Sequence, residues 1–165
     1  MPMIFRNATI FDGDSPQLKK GLDLLVQGET IAKISPAPIE ANPDVPSIDC
    51  TGRVLMPGLI DAHVHVYIAG LDLTRVARAP LSYLAHYAAR FLRASLDRGF
   101  TTVRDVGGGD VGLASALKEG LIEGAPRLFY GGRAISQTGG HADFRPGTKR
   151  FRMPVITDAH AKQER

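Results

Sequence analysis

The sequence predicts a mixed α/β fold in which short strands come first and strands alternate with helices afterwards. Up to Pro57 the apolar residues occur in short runs between turn-forming residues, which is typical of β-strands. After Pro57 the apolar spacing alternates between strand-like runs and helical three- and four-residue steps. This alternation predicts parallel strands joined by right-handed crossovers. We therefore expect two parts, residues 1–57 and residues 58–165.

Residues 1–57 contain the patterns of a small β-structure. Two apolar-rich segments, residues 23–27 and 30–34, flank Gly28 and predict a β-hairpin. Asn7 separates two strand segments, and the prolines of residues 36–46 exclude a long helix. The remaining short strands are expected at residues 4–5, 8–11, 48–50 and 53–56.

Residues 58–165 begin with three strand patterns separated by two helical patterns. Pro80 suits the start of the first helix, Gly99 suits its end, and Asp110 is a candidate N-cap of the second. The strands are expected at residues 58–63, 100–104 and 127–130. The helical stripes comprise Leu81, Leu84, Ala85, Ala88, Phe91, Leu92, Ser95 and Leu96 in the first helix, and Leu113, Ala114, Leu117 and Leu121 in the second.

A pair of histidines at the end of the first of these strands is the most informative local pattern. His63 and His65 are two residues apart, so on a β-strand they point to the same face. Neutral imidazole is a common nitrogen ligand of transition metals. The spacing alone is a weak indication of a transition-metal site at His63 and His65. Two strand-end histidines satisfied by hydrogen bonds are the alternative.

The segment that ends in this pair, Pro-Gly-Leu-Ile-Asp-Ala-His-Val-His, resembles the amidohydrolase superfamily of metal-dependent hydrolases. The resemblance runs from about Met3 to about Asp143 and is nearest to imidazolonepropionase-like enzymes and metal-dependent dipeptidases and carboxypeptidases. It implies the N-terminal part of a TIM-like (β/α)8 barrel, preceded by half of a small β-sandwich. It also implies zinc as the cofactor, as one or two ions, with further ligands from later strands.

The chain has 165 residues, whereas a complete barrel of this kind needs about 250. We therefore expect residues 1–57 to be part of a composite sandwich and residues 58–165 to be the first three β/α units of a truncated barrel. Open strand edges tend to pair or aggregate. We expect the chain to form a homo-oligomer or to associate with the missing barrel segments.

Polar residues follow each of the three predicted strands, and in barrels of this type such loops carry the chemistry. Asp61 has two interpretations: it orients an imidazole through its other ring nitrogen, or it caps local backbone. Arg104 and Asp105 are interpreted as an ion pair or loop anchor in preference to a catalytic pair. The glycines at 107–109 predict a tight strand-to-helix turn, with an anion site at the helix start as the weaker alternative.

Gly139-Gly140-His141-Ala142-Asp143, after the third strand, resembles a motif of the dipeptidase-like branch. The resemblance implies that His141 contacts the substrate, where it polarises the scissile carbonyl or holds a carboxylate; a water-exposed loop histidine is the alternative. Asp143 is expected to order the loop. Arg145 is a candidate for binding a substrate carboxylate, because a guanidinium matches that geometry, although a solvated loop is the plainer interpretation.

The resemblance implies that a metal-activated water hydrolyses a C–N bond in a small amide, a dipeptide-like substrate or a cyclic amide. Two alternatives stay open. One is a non-catalytic fragment or interaction domain that has lost the metal site. The other is an isomerase or decarboxylase on the same scaffold, because a fold does not fix a reaction.

The composition excludes several other classes. A net charge of +3 is too small to indicate nucleic-acid binding. No apolar run approaches the roughly 18 residues of a membrane span, and the N-terminal residues lack a signal-peptide pattern. Cys50 is the only cysteine, so no intrachain disulfide is expected and a cytoplasmic location fits.

Overall fold

A computed structural model describes residues 1–137, apart from the side chains of Leu73, Thr74 and Ala77. The chain divides into two compact units, Met1–Pro57 and Gly58–Arg165. The elements of the first unit are β1 (Met3–Ile10), β2 (Lys19–Gln27), β3 (Thr30–Ser35), β4 (Ser47–Asp49) and β5 (Val54–Leu55). Those of the second are β6 (Leu59–Val64), α1 (Leu73–Arg78), α2 (Leu81–Asp97), β7 (Phe100–Asp105), α3 (Val111–Lys118) and β8 (Arg127–Tyr130).

The first unit is one five-stranded sheet. Its strands follow the order β3-β2-β1-β4, and β5 pairs with the far end of β1. The β1–β2 and β2–β3 pairs are antiparallel, whereas β4 and β5 run parallel to β1. The predicted hairpin is confirmed: Gln27 pairs with Thr30, and Gly28 takes a positive φ of 62° in the turn between them.

The predicted break at Asn7 is wrong, because β1 continues through this residue. Asn7 has a φ of 52°, and the register of β1 against β2 shifts between Phe5 and Ala8. The irregularity is therefore a bulge within one strand. Asparagine tolerates the left-handed region better than most residues. Its Nδ2 donates to Thr51 Oγ1 at 2.9 Å, which fixes the side chain.

A small apolar core and a partly buried ion pair stabilise this unit. Cys50 is buried in the core, as an inert structural cysteine would be. Arg6 Nη1 lies 2.6 Å from Asp23 Oδ2, and the Asp23 carboxylate also accepts the N–H groups of Asn7 and Ile39. Burial raises the pKa of Asp23, but these hydrogen bonds and the guanidinium outweigh it and bring the pKa below its ordinary value.

The second unit contains a parallel sheet in the order β6-β7-β8, which confirms the predicted parallel pairing. Leu84, Ala88 and Leu92 of α2 recur every fourth residue on one buried face. They belong to the same core cluster as Val103 of β7. Pro80 precedes the helix as its N-cap, and Gly99, just past its end, has a positive φ of 90°.

Two helices flank the loops that follow β6 and β7. α1 was not predicted, because its six residues are too few to show a helical period. Asp72 is the N-cap of α1, and its Oδ1 accepts the N–H of Arg75. α3 begins after Asp110, whose Oδ1 accepts the N–H of Leu113 at 2.8 Å, so the predicted N-cap is confirmed. Within residues 1–137, no helix is both long and apolar enough to cross a membrane.

Candidate metal centre

The two histidines lie together where β6 ends. His63 is within the strand and His65 directly follows its last residue. Their ring centroids are 5.4 Å apart and the ring planes meet at 78°. Two imidazoles that bind one zinc ion at ~2.0–2.1 Å have ring centroids about 5 Å apart. The observed spacing is therefore compatible with a shared metal ion.

A bulge in β6 places His63. Between the paired positions Asp61 and Val64, β6 has two residues, Ala62 and His63, opposite a single residue of β7, Arg104. A bulge of this kind bends a strand and redirects its side chains, often beside a functional site. Arg104 Nε donates to the carbonyl oxygen of Ala62 at 2.8 Å and so anchors the bulged backbone.

Asp61 contacts the backbone of this segment. Its Oδ1 accepts the N–H of His63 at 3.1 Å, which is the backbone-capping alternative. The contact satisfies an N–H group at the point where the register of the strand ladder shifts. That Asp61 also orients an imidazole stays a prediction.

The ring of His65 is oriented by the loop after β7. Its Nδ1 lies 2.9 Å from the carbonyl oxygen of Gly107. A carbonyl oxygen only accepts hydrogen bonds, so Nδ1 carries the proton and, in the neutral ring, Nε2 keeps its lone pair. His65 is half-buried, and this tautomer leaves Nε2 as the nitrogen that can bind a metal.

Asp105, the last residue of β7, anchors both loops that border the histidines. It has no exposed surface, and its Oδ2 accepts the N–H of Val66 at 2.7 Å. Its Oδ1 accepts the N–H groups of Gly107 and Gly109, each at 2.9 Å. The interpretation of Asp105 as a loop anchor is confirmed. Sequence alone did not indicate that the loop it orders carries the hydrogen-bond partner of His65.

The three consecutive glycines form the predicted tight turn between β7 and α3. A Cβ atom at Gly109 would lie 3.0 Å from Asp105 Cγ, and one at Gly107 would lie 2.8 Å from the Cβ of Ala134. Gly108 has a φ of 120°, which side chains disfavour. Two N–H groups of this turn bind the chain's own carboxylate, which favours the tight-turn interpretation over an anion site.

Tyr67 packs beside this loop, two residues after His65. Its hydroxyl lies 3.2 Å from Asp110 Oδ1, and the side chain is buried. Burial and the neighbouring Asp110 carboxylate raise the pKa of Tyr67 well above its ordinary value. The hydroxyl therefore stays protonated and donates to Asp110, which also caps α3.

The described residues include two candidate metal ligands. His63 and His65 are nitrogen donors at a compatible spacing, and His65 has a defined free nitrogen. Across residues 1–137, no three or more His, Cys, Asp or Glu side chains are grouped to hold a metal ion. The chemistry of this donor pair fits zinc or a similar divalent ion, provided that other residues complete the ligand set. His141, Asp143 and Arg145 lie outside the described residues, and their roles stay predictions.

The sequence matches a protein-family model described as the amidohydrolase family over residues 54–163. Among curated proteins, an ochratoxinase of Aspergillus niger is 38% identical over 99 residues, which cover 54% of this chain and 19% of that protein. The chain thus spans about a fifth of the length of this relative.

Solved structures give a wider match. A crystal structure of an amidohydrolase is 42% identical with a TM-score of 0.78, and the alignment covers 90% of this chain and 37% of that one. A prolidase crystallised with N-methylphosphonate-L-proline is 37% identical with a TM-score of 0.79, covering 89% of this chain and 36% of that one. The matched part is therefore little more than a third of either structure.

Proposed function

The chain belongs to the amidohydrolase family, and from this premise we propose that it supplies the first part of a metal-dependent hydrolase that cleaves C–N bonds. The observation that carries the proposal is the histidine pair at the end of β6, with His65 held so that Nε2 is available. The family is generally metal-dependent. Zinc is the proposed ion, because imidazole nitrogens are among its usual ligands.

His63 and His65 would hold the metal together with ligands from outside the described residues. A divalent ion in such a site lowers the pKa of water and polarises a carbonyl oxygen. The residues described here orient the site: Arg104 anchors the bulged strand, Asp61 caps the N–H of His63, and Gly107 fixes the ring of His65.

The proposed architecture is the start of a (β/α)8 barrel with part of a β-sandwich before it. The parallel β6-β7-β8 sheet and the helices after β6 and β7 support the barrel assignment. One face of this sheet is uncovered in the described residues. Ile60 of β6 is 69% exposed and Phe129 of β8 is 56% exposed. We propose that further barrel segments, or a second copy of the chain, cover this face.

The proposed substrate class is a small amide or dipeptide-like molecule. The similarity to a prolidase crystallised with N-methylphosphonate-L-proline supports this class. The ochratoxinase is a second similar protein. His141 is proposed to polarise the scissile carbonyl or hold a substrate carboxylate, and Arg145 is proposed to bind that carboxylate through its guanidinium. A panel of dipeptides with proline in the second position, assayed with the full-length protein that contains this chain, tests the class.

The metal assignment is tested by zinc titration of the purified chain, followed through the imidazole NMR signals. We expect the signals of His63 and His65 to change together, and the signal of the exposed His86 on α2 to stay unchanged. The double variant His63→Ala/His65→Ala should lose this binding, and His86→Ala is the matched control. Zinc binding retained by the double variant would contradict the assignment. Wild-type signals unmoved by excess zinc would show that the two histidines do not hold the ion without the ligands from outside the described residues.

A further inference from the structure

We propose that Asp105 is a positioning residue for the metal centre: through the loop that it anchors, it fixes the tautomer in which His65 presents Nε2. This inference deepens the proposed function and rests on His65 being a metal ligand. The hydrogen bonds of the Asp105 carboxylate go to backbone N–H groups and not to an imidazole. It acts through backbone groups on both sides of the ring.

The Asp105 carboxylate holds both chain segments that set the His65 ring. Val66, which donates to Oδ2 at 2.7 Å, is the residue after His65. Gly107, which donates to Oδ1 at 2.9 Å, is the residue whose carbonyl oxygen accepts the Nδ1 proton. One buried side chain thus holds the backbone beside the imidazole and the peptide units on both sides of the carbonyl group that accepts its hydrogen bond.

Three N–H donors require an acceptor with two oxygen atoms. A carboxylate accepts on both oxygens, whereas an amide replaces one oxygen with an NH₂ group that only donates. In an Asp105→Asn variant, either Val66 or the pair Gly107 and Gly109 would therefore face a donor. Such a buried mismatch is costly, so we expect the loop to move and the Gly107 carbonyl to leave Nδ1. The His65 ring would then populate both neutral tautomers.

The test is the tautomer of His65 in the metal-free chain, read from the ¹⁵N chemical shifts of the two ring nitrogens. The measurement is made near pH 8.5, since an ordinary imidazole has a pKa of about 6.5 and is then neutral. We expect the wild-type chain to protonate Nδ1 alone and Asp105→Asn to show a mixture. A wild-type chain in which His65 is protonated at Nε2 would overturn the proposal. This measurement needs no variant, so the proposal is testable even if Asp105→Asn does not fold.

The matched control is Asp110→Asn, the same chemical change five residues after Asp105 at the other end of the loop. Asn remains a good N-cap, so we expect this variant to keep the wild-type tautomer. An Asp105→Asn variant that folds and also keeps a single Nδ1-protonated form would overturn the proposal. Zinc titration separates this result from the proposed function. If the wild-type chain binds zinc, Asp105→Asn should bind it roughly 10- to 100-fold more weakly. If the wild-type chain binds no zinc, the tautomer measurement still decides the role of Asp105, because it is made without metal.

Discussion

Gly58 lies directly against the side chain of Thr101, at the point where β6 and β7 begin to pair. A Cβ atom built on Gly58 would lie 2.1 Å from both Oγ1 and Cγ2 of Thr101. Gly58 is not among the glycines with positive φ. The proline-glycine step before the histidine segment therefore needs glycine for close approach of the neighbouring strand rather than for a left-handed turn.

Gly58→Ala should destabilise the chain by about 1–3 kcal/mol, because the added methyl group forces the two strands apart. The measurement is the free energy of unfolding from urea denaturation. The double variant Gly58→Ala/Thr101→Gly removes the opposing side chain and should recover part of the loss. A single variant as stable as the wild type would show that the contact is not tight.

Asp23 should make the first unit sensitive to acid. The pKa of Asp23 is lower in the folded chain than in the unfolded chain, where it is about 3.9. Its contribution to stability is therefore complete at a pH above the unfolded-state pKa and is lost as the pH falls through the folded-state pKa. Asp23→Asn should remove this part of the acid dependence and cost about 1–3 kcal/mol at neutral pH.

The check on Asp23 is urea denaturation at neutral and acid pH, followed through amide NMR signals of residues 1–57. Asp44→Asn, at an exposed position of the same unit, is the control and should leave the pH dependence unchanged. If Asp23→Asn loses stability with acid as steeply as the wild type, the ion pair with Arg6 does not carry the effect.

Tyr67 should make the second unit sensitive to alkali. Its folded-state pKa is raised, so its contribution to stability is present below the ordinary value of about 10 and is lost as the pH rises towards the folded-state value. Tyr67→Phe should flatten the loss of stability above pH ~10, as measured by thermal unfolding at increasing pH. A Tyr67 ring signal that titrates at the ordinary value would contradict this.

Asp110 should stabilise α3 through its N-cap bond. Asp110→Ala removes the acceptor of the Leu113 N–H and of the Tyr67 hydroxyl, and should cost about 0.5–2 kcal/mol. Asp110→Asn keeps a cap oxygen and should cost less. The comparison uses unfolding free energies of both variants, and equal losses in the two would show that the side-chain oxygen is unimportant.

Much of the fold could be predicted because its strands and longer helices carry clear local patterns. The strand at residues 127–130 has the predicted bounds, and α2 ends before Gly99 as expected. Two features of the fold could not be predicted from local sequence patterns. α1 has only six residues, and the φ of 52° at Asn7 produces a bulge where turn-forming composition suggested a break.

The candidate site was partly predictable for a similar reason. The spacing of His63 and His65 is local, so strand geometry brings the rings together. The partner of His65 is a backbone carbonyl 42 residues away, and every residue has such a group, so no pattern in the sequence marks Gly107. The roles of Asp61, His141 and Arg145 as site residues stay predictions.

The hydrogen bonds that orient His65 span only β6, the helices that follow it, and the first turn after β7. They are therefore complete within a single strand-helix-strand crossover. We therefore expect the imidazole to take its orientation once β6 and β7 have paired, before any ion binds. A metal ion bound by His65 as proposed would then meet a side chain that is already ordered, which lowers the entropic cost of binding.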